Sequence, residues 1–173
     1  MKIMGSKKEK RDNASLESID RDKFSGDYEA TILEQWKTCV ETANGITEKR
    51  NMANSIFITV NTALFAVVTF SLDYKSILLS AIGMFICVLW LKLLDNYKQL
   101  NEAKYDVINE IEDLLPLAPF KAEWNRLNKK GVYKGLTKIE RALPIVFIVL
   151  YGLAVLYPVI KLLLQFVCPC ITN

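Results

Sequence analysis

No histidine occurs anywhere in the 173 residues. The side chain that most often serves as general base or metal ligand near neutral pH is therefore missing. Cysteine is scarce, at Cys39, Cys87, Cys168 and Cys170 only. Cys39 and Cys87 stand alone and read as small apolar fillers. Cys168-Pro-Cys170 lies beyond the last apolar block, where a single intervening residue would strain an intrachain bridge; disulfides between subunits or free thiols are the alternatives. A metal site built from two thiols and no histidine would need ligands from several chains. The seven glycines form neither a P-loop nor a dinucleotide-binding turn. No serine or cysteine nucleophile adjoins a base, and no carboxylate pair stands out. No catalytic residue, cofactor or metal is expected, and the chain does not read as an enzyme. A net charge of +3 is too small to point to a nucleic-acid partner.

What the chain does have is segregation. Half of it is apolar and about a quarter charged, with hydrophobic residues at 51% and charged residues at 24%. Apolar residues gather at 52–72, 76–94 and 142–167, while charges crowd 1–50 and 95–141. A membrane span needs about 20 mostly apolar residues, and backbone inside lipid must satisfy its own hydrogen bonds, so each block is expected to be a helix. The fold class is therefore all-α and integral to a membrane, with three spans: 52–72, 76–94 and 142–167. Only Asp73-Tyr74-Lys75 separates the first two, which makes them an antiparallel hairpin. Residues 1–26 read as a disordered charged arm, with seven basic and five acidic side chains in the first 24. The opening MKIMGSKKEKRDN does not resemble a secretory signal, since no apolar run follows for some fifty residues.

Lysine and arginine counts orient the spans. Residues 1–51 hold ten and 92–141 hold ten, against Lys75 in the hairpin turn and Lys161 near the end of the third span. The N-terminus and the 95–141 region are expected in the cytoplasm, with the turn and the 168–173 tail outside. Lys92 and Lys161 can snorkel to headgroups.

Residues 27–51 continue the helical pattern upstream of the first span, with Ser25 or Asp27 available as cap. Ile32, Trp36, Cys39, Ala43 and Ile46 recur at spacings of three and four, the mark of an amphipathic helix. Leu100, Val107, Ile111 and Leu114 do the same after the second span, until Pro116 and Pro119 stop the helix. A short segment carrying Trp124 follows. Thr137-x-x-Glu140 then reads as a capping box opening the third long helix, with a kink expected at Pro144. The acidic cluster Glu110, Glu112 and Asp113 reads as a solvated face. The two cytoplasmic extensions should pack into a bundle, and a surplus apolar stripe would need a second chain. Trp36, Ile46, Val107, Ile111 and Trp124 are the candidate oligomer contacts there, with an unidentified cytoplasmic partner as a further option.

The first span carries the most unusual pattern. Asn51, Ser55, Thr59, Thr62, Ala66 and Thr69 fall on one face, flanked by Asn54 and Asn61, while Phe57, Val60, Leu64 and Val67 take the opposite face. Two readings fit. Small and hydroxyl residues let membrane helices pack closely, with asparagines bonding across them. Alternatively Asn54, Ser55, Thr59, Asn61, Thr62 and Thr69 line a water-filled path in an oligomer. In the second span Ser80, Gly83 and Cys87 share a side suited to packing against the first.

Several runs resemble the RipA family of bacterial octameric membrane proteins. They are Glu34-Gln35-Trp36-Lys37, the stretch Ile46-Thr47-Glu48-Lys49-Arg50-Asn51-Met52-Ala53-Asn54, and Val60-Asn61-Thr62-Ala63-Leu64. Tyr97-Lys98-Gln99-Leu100-Asn101, the Leu114–Pro119 bend before Glu123-Trp124, and Ile139-Glu140-Arg141 before Pro144 extend the likeness over roughly residues 30–160. The resemblance implies a homo-octamer of the bacterial inner membrane, with lipid and itself as partners, linked to growth inside host cells. More loosely, the hairpin resembles two-span effectors of bacterial nucleotide-signalling defence systems, which perforate membranes. The functional expectation is a non-enzymatic homo-oligomeric assembly that conducts ions or perturbs the membrane. A membrane scaffold, adaptor or sensor recruiting cytoplasmic partners is the alternative.

Overall fold

The computed structural model describes residue 16 and residues 19–70, 74–129 and 136–167. Most of the charged arm, the turn at 71–73, the segment 130–135 and the tail with Cys168 and Cys170 lie outside the described residues. Those described form four α-helices and no strand: α1 (Tyr28–Phe70), α2 (Tyr74–Glu112), α3 (Pro119–Lys129) and α4 (Leu136–Val167). The fold is all-α. Three helices, α1, α2 and α4, each contain a stretch long and apolar enough to cross a membrane.

Local chemistry explains the helix ends. Asp27 caps α1, its Oδ1 accepting the Ala30 N–H at 3.0 Å. The last turn of α2 tightens, with Leu114 N–H donating to Ile111 O and Leu115 N–H to Glu112 O, before Pro116 removes the next donor. Pro119 opens α3, where the N–H it lacks would have no helical acceptor. α4 contains Pro144 and Pro158 yet continues through both.

The chain divides into two compact units, Met1–Asn44 with Glu102–Gly131 and Gly45–Asn101 with Val132–Asn173. In the first, Phe120 of α3 packs between Trp36 of α1 (ring centroids 5.9 Å) and Tyr105 of α2 (5.8 Å). Ile108, Ile111 and Ala43 are buried with them in this unit. Glu112 departs from the expected solvated acidic face. It is 1% exposed, and its carboxylate accepts the backbone N–H groups of Phe120 at 3.1 Å and Lys121 at 3.2 Å. A buried carboxylate is stable there because it satisfies the orphan donors at the α3 N-terminus and meets the positive end of the helix dipole. Lys121 pairs with Asp113 beside it.

In the second unit the three long helices meet along one seam. The positions turned inward are Asn54, Asn61 and Val68 on α1, Ser76, Ser80, Gly83, Cys87, Trp90 and Leu94 on α2, and Pro144, Tyr151 and Ala154 on α4. These recur every three, four or seven residues, so each helix keeps one continuous face toward the others.

Candidate functional site

The seam carries polar contacts arranged in levels. At the start of α4, Glu140 and Arg141 reach in different directions. Glu140 pairs with Arg50 of α1, their side chains 11% and 12% exposed, while Arg141 pairs with Asp95 of α2 at 2.9 Å. The expected capping box is thus displaced. Leu136 already belongs to the helix, so Thr137 cannot precede it, and Glu140 is engaged by a charge on another helix. With its carboxylate on Arg50, Glu140 does not reach back to the start of its own helix as a capping glutamate would.

One turn further along α1, Asn54 Oδ1 accepts the indole N–H of Trp90 at 2.8 Å. Phe57 stacks on the same indole, with centroids 5.5 Å apart and planes 5° from parallel. Two turns beyond Asn54 lies a knot of three side chains. Asn61 is fully buried, its Nδ2 donating to the carbonyl of Phe57 at 2.8 Å and its Oδ1 accepting the Cys87 thiol at 3.2 Å. The Tyr151 hydroxyl donates to the backbone oxygen of Asn61 at 3.1 Å and lies 3.4 Å from its Oδ1. The ring of Tyr151 sits against Gly83, where a Cβ would fall 2.3 Å from Cζ. The small side of α2 therefore receives an aromatic ring from α4 at Gly83, while Cys87 meets the first span as the sequence suggested. A glycine is what lets a tyrosine enter so deeply.

The six candidate residues of the first span consequently separate. Asn54 and Asn61 belong to the seam within one chain. Ser55, Thr59, Thr62 and Thr69 are exposed and form a distinct lane. At 100° per residue that lane is centred about 120° round the helix from Asn61. Three of its hydroxyls donate to carbonyls of their own helix: Ser55 to Asn51 at 3.2 Å, Thr59 to Ser55 at 2.9 Å, and Thr69 to Ala66 at 2.7 Å. Each keeps acceptor capacity for water or a neighbour. The face expected opposite the stripe is also divided. Phe57 and Leu64 turn toward the seam, while Val60 and Val67 are 42% and 52% exposed.

Of the candidate contacts in the cytoplasmic extensions, Trp36 and Ile111 pack within the first unit, Val107 is half-buried, and Trp124 is 54% exposed. Ile46 is half-buried in the second unit. Sequence reasoning gave Tyr151 and Trp90 no partner and did not single out the two ion pairs. A signal existed: Ser76, Ser80, Gly83, Cys87, Trp90 and Leu94 repeat every four and three residues, and Glu140-Arg141 juxtaposes opposite charges. Among the described residues no cluster of three metal-ligating side chains occurs.

A model of the octameric membrane protein family (8xMP) matches residues 33–160. The chain belongs to that family. No curated protein and no solved structure matches it. The matched residues include the seam, the exposed lane of α1, all of α2 and α3, and α4 as far as Ile160. Membership of the octameric membrane protein family makes this a membrane protein that self-associates.

Proposed function

We propose that the chain is a non-enzymatic subunit of a homo-octameric assembly that forms a conduit through the membrane. The observation that carries this is the lane of Ser55, Thr59, Thr62 and Thr69, exposed on a span otherwise clad in aliphatic side chains. Only 11% of the first span's most apolar window is buried within the chain, against 28% for the second and 17% for the third. The helix that most needs an outside partner is thus the one with a polar lane. In a ring, turning that lane toward the axis gives water a surface of hydroxyls while the aliphatic faces of α2 and α4 meet lipid. The conduit would lie in a bacterial inner membrane, as the resemblance to the RipA family suggests. The lysine and arginine count favours a cytoplasmic N-terminus and an outer C-terminus.

Reconstitution in liposomes tests the conduit. Wild-type protein should pass a small ion or dye, and Thr62→Trp should reduce that flux without changing the oligomer's mass. Absence of flux, or flux untouched by substitutions along the lane, would remove the conduit. A scaffold or adaptor role is the alternative, favoured by Leu117 at 79% and Trp124 at 54% exposure in the first unit. Unchanged partner recovery after deletion of residues 95–141 would count against that alternative.

A further inference from the structure

Tyr151 stands seven residues from Pro144 and seven from Pro158. Each proline lacks an N–H, so the helical ladder of α4 loses one bond on either side of the tyrosine. The carbonyls left without their usual donor are those of Glu140 and Ala154, and such interruptions are where helices bend. From Val159 to Leu164, little of the helix packs within the chain. Val159 through Leu164 are six consecutive exposed positions, more than one full turn, so no face of that stretch is covered. The attachment of α4 therefore rests on the paired charges at its start and on the stretch from Pro144 to Ala154, in which Tyr151 is the largest fully buried side chain.

The attachment at Tyr151 joins three helices at once. The ring fills the Gly83 notch of α2, with three ring carbons within 2.7 Å of where a Cβ would be. The hydroxyl bonds α1 through Asn61, and Phe65 and Phe147 pack on the ring at 5.6 and 6.4 Å. Asn61 in turn fixes the rotation of α1 about its own axis. With Asn61 held inward, Thr62 and Thr59 lie about 100° and 160° round the helix, on the exposed lane.

We propose that Tyr151 is a latch. Seated in the Gly83 notch, it holds α4 against α1 and α2, fixes the azimuth of the hydroxyl lane and keeps the conduit in a low-conducting state. When it withdraws, α4 swings on the breaks at Pro144 and Pro158, α1 is free to turn, and the conduit opens. The latch presupposes the conduit proposed above, but its seating can be measured separately because Cys87 is fully buried in the same knot.

The experiment uses full-length protein carrying Cys39→Ser, Cys168→Ser and Cys170→Ser, reconstituted in liposomes. Labelling of Cys87 by N-ethylmaleimide and ion flux are followed together in this background and with Tyr151→Phe or Gly83→Ala added. Tyr151→Phe keeps the ring and covers the case in which Gly83→Ala fails to fold. The latch predicts slow Cys87 labelling in the parent and a rise of about fivefold to tenfold in Tyr151→Phe, the scale set by one lost hydrogen bond, with flux rising in parallel. If Cys87 stays protected in both variants, the latch is wrong even where the parent conducts. Exposure of Cys87 with flux unchanged, while Thr62→Trp still blocks that flux, would overturn the gating role and leave the conduit standing. No flux in any sample would remove conduit and gate together.

Discussion

Arg50 and Glu140, ninety residues apart in sequence, form an ion pair whose side chains are only 12% and 11% exposed. The neighbouring pair, Arg141 with Asp95, is far more open, at 46% and 40%. Two adjacent residues of α4 thus hold two different helices, one through a sheltered contact and one through a solvated contact.

The two pairs should respond very differently to mutation. Removing Glu140 as Glu140→Gln leaves the sheltered Arg50 charge without its counterion and should cost about 3 kcal/mol. Asp95→Asn breaks an open pair and should cost less than about 1 kcal/mol. Thermal unfolding of purified protein in one detergent measures both, and equal losses would contradict the difference in shelter.

Two glycines offer a matched contrast within the same unit. Gly83→Ala forces a methyl into the Tyr151 ring and should destabilise by about 1–3 kcal/mol. Nothing lies within 4 Å of a Cβ placed at Gly152. Gly152→Ala should therefore be neutral or stabilise α4 by up to about 1 kcal/mol through helix propensity. Melting temperatures of the two variants, side by side, decide the point.

Glu112 serves α3 from the end of the preceding helix. Glu112→Ala removes the acceptor for two backbone donors and should weaken α3 by about 1–2 kcal/mol. Hydrogen exchange at the Phe120 and Lys121 amides should accelerate, while amides of the second unit stay protected. Unchanged exchange at those two positions would show that the carboxylate is not their principal partner.

Asn54→Leu leaves the Trp90 indole N–H without its acceptor in the apolar seam. A loss of about 1 kcal/mol is expected, the usual scale for one such bond between membrane helices. Trp90→Phe should largely suppress the effect of Asn54→Leu, since no donor then remains to be orphaned, and a double-mutant cycle reads that coupling.

The spans were legible because a bilayer imposes a coarse rule, a long run of apolar residues that any helix must meet. The cap at Asp27 and the break before α3 were legible for a similar reason, since carboxylate and proline act within a turn of themselves. The split between Asn61 and its near neighbours Thr59 and Thr62 was not. All are polar residues on one span, and spacing alone does not say which of two adjoining faces meets another helix. Glu112 was misplaced on the same ground, because its partners are amides eight and nine residues ahead.

Composition and periodicity alone determined that this chain is helical and that three of its segments suit a bilayer. Tertiary structure decided which polar residues are consumed in holding the helices together and which remain exposed. That division depends on contacts between distant segments, such as Tyr151 with Gly83 and Asn61. Local sequence has no term for them, because the energy belongs to the fit of two surfaces rather than to either one.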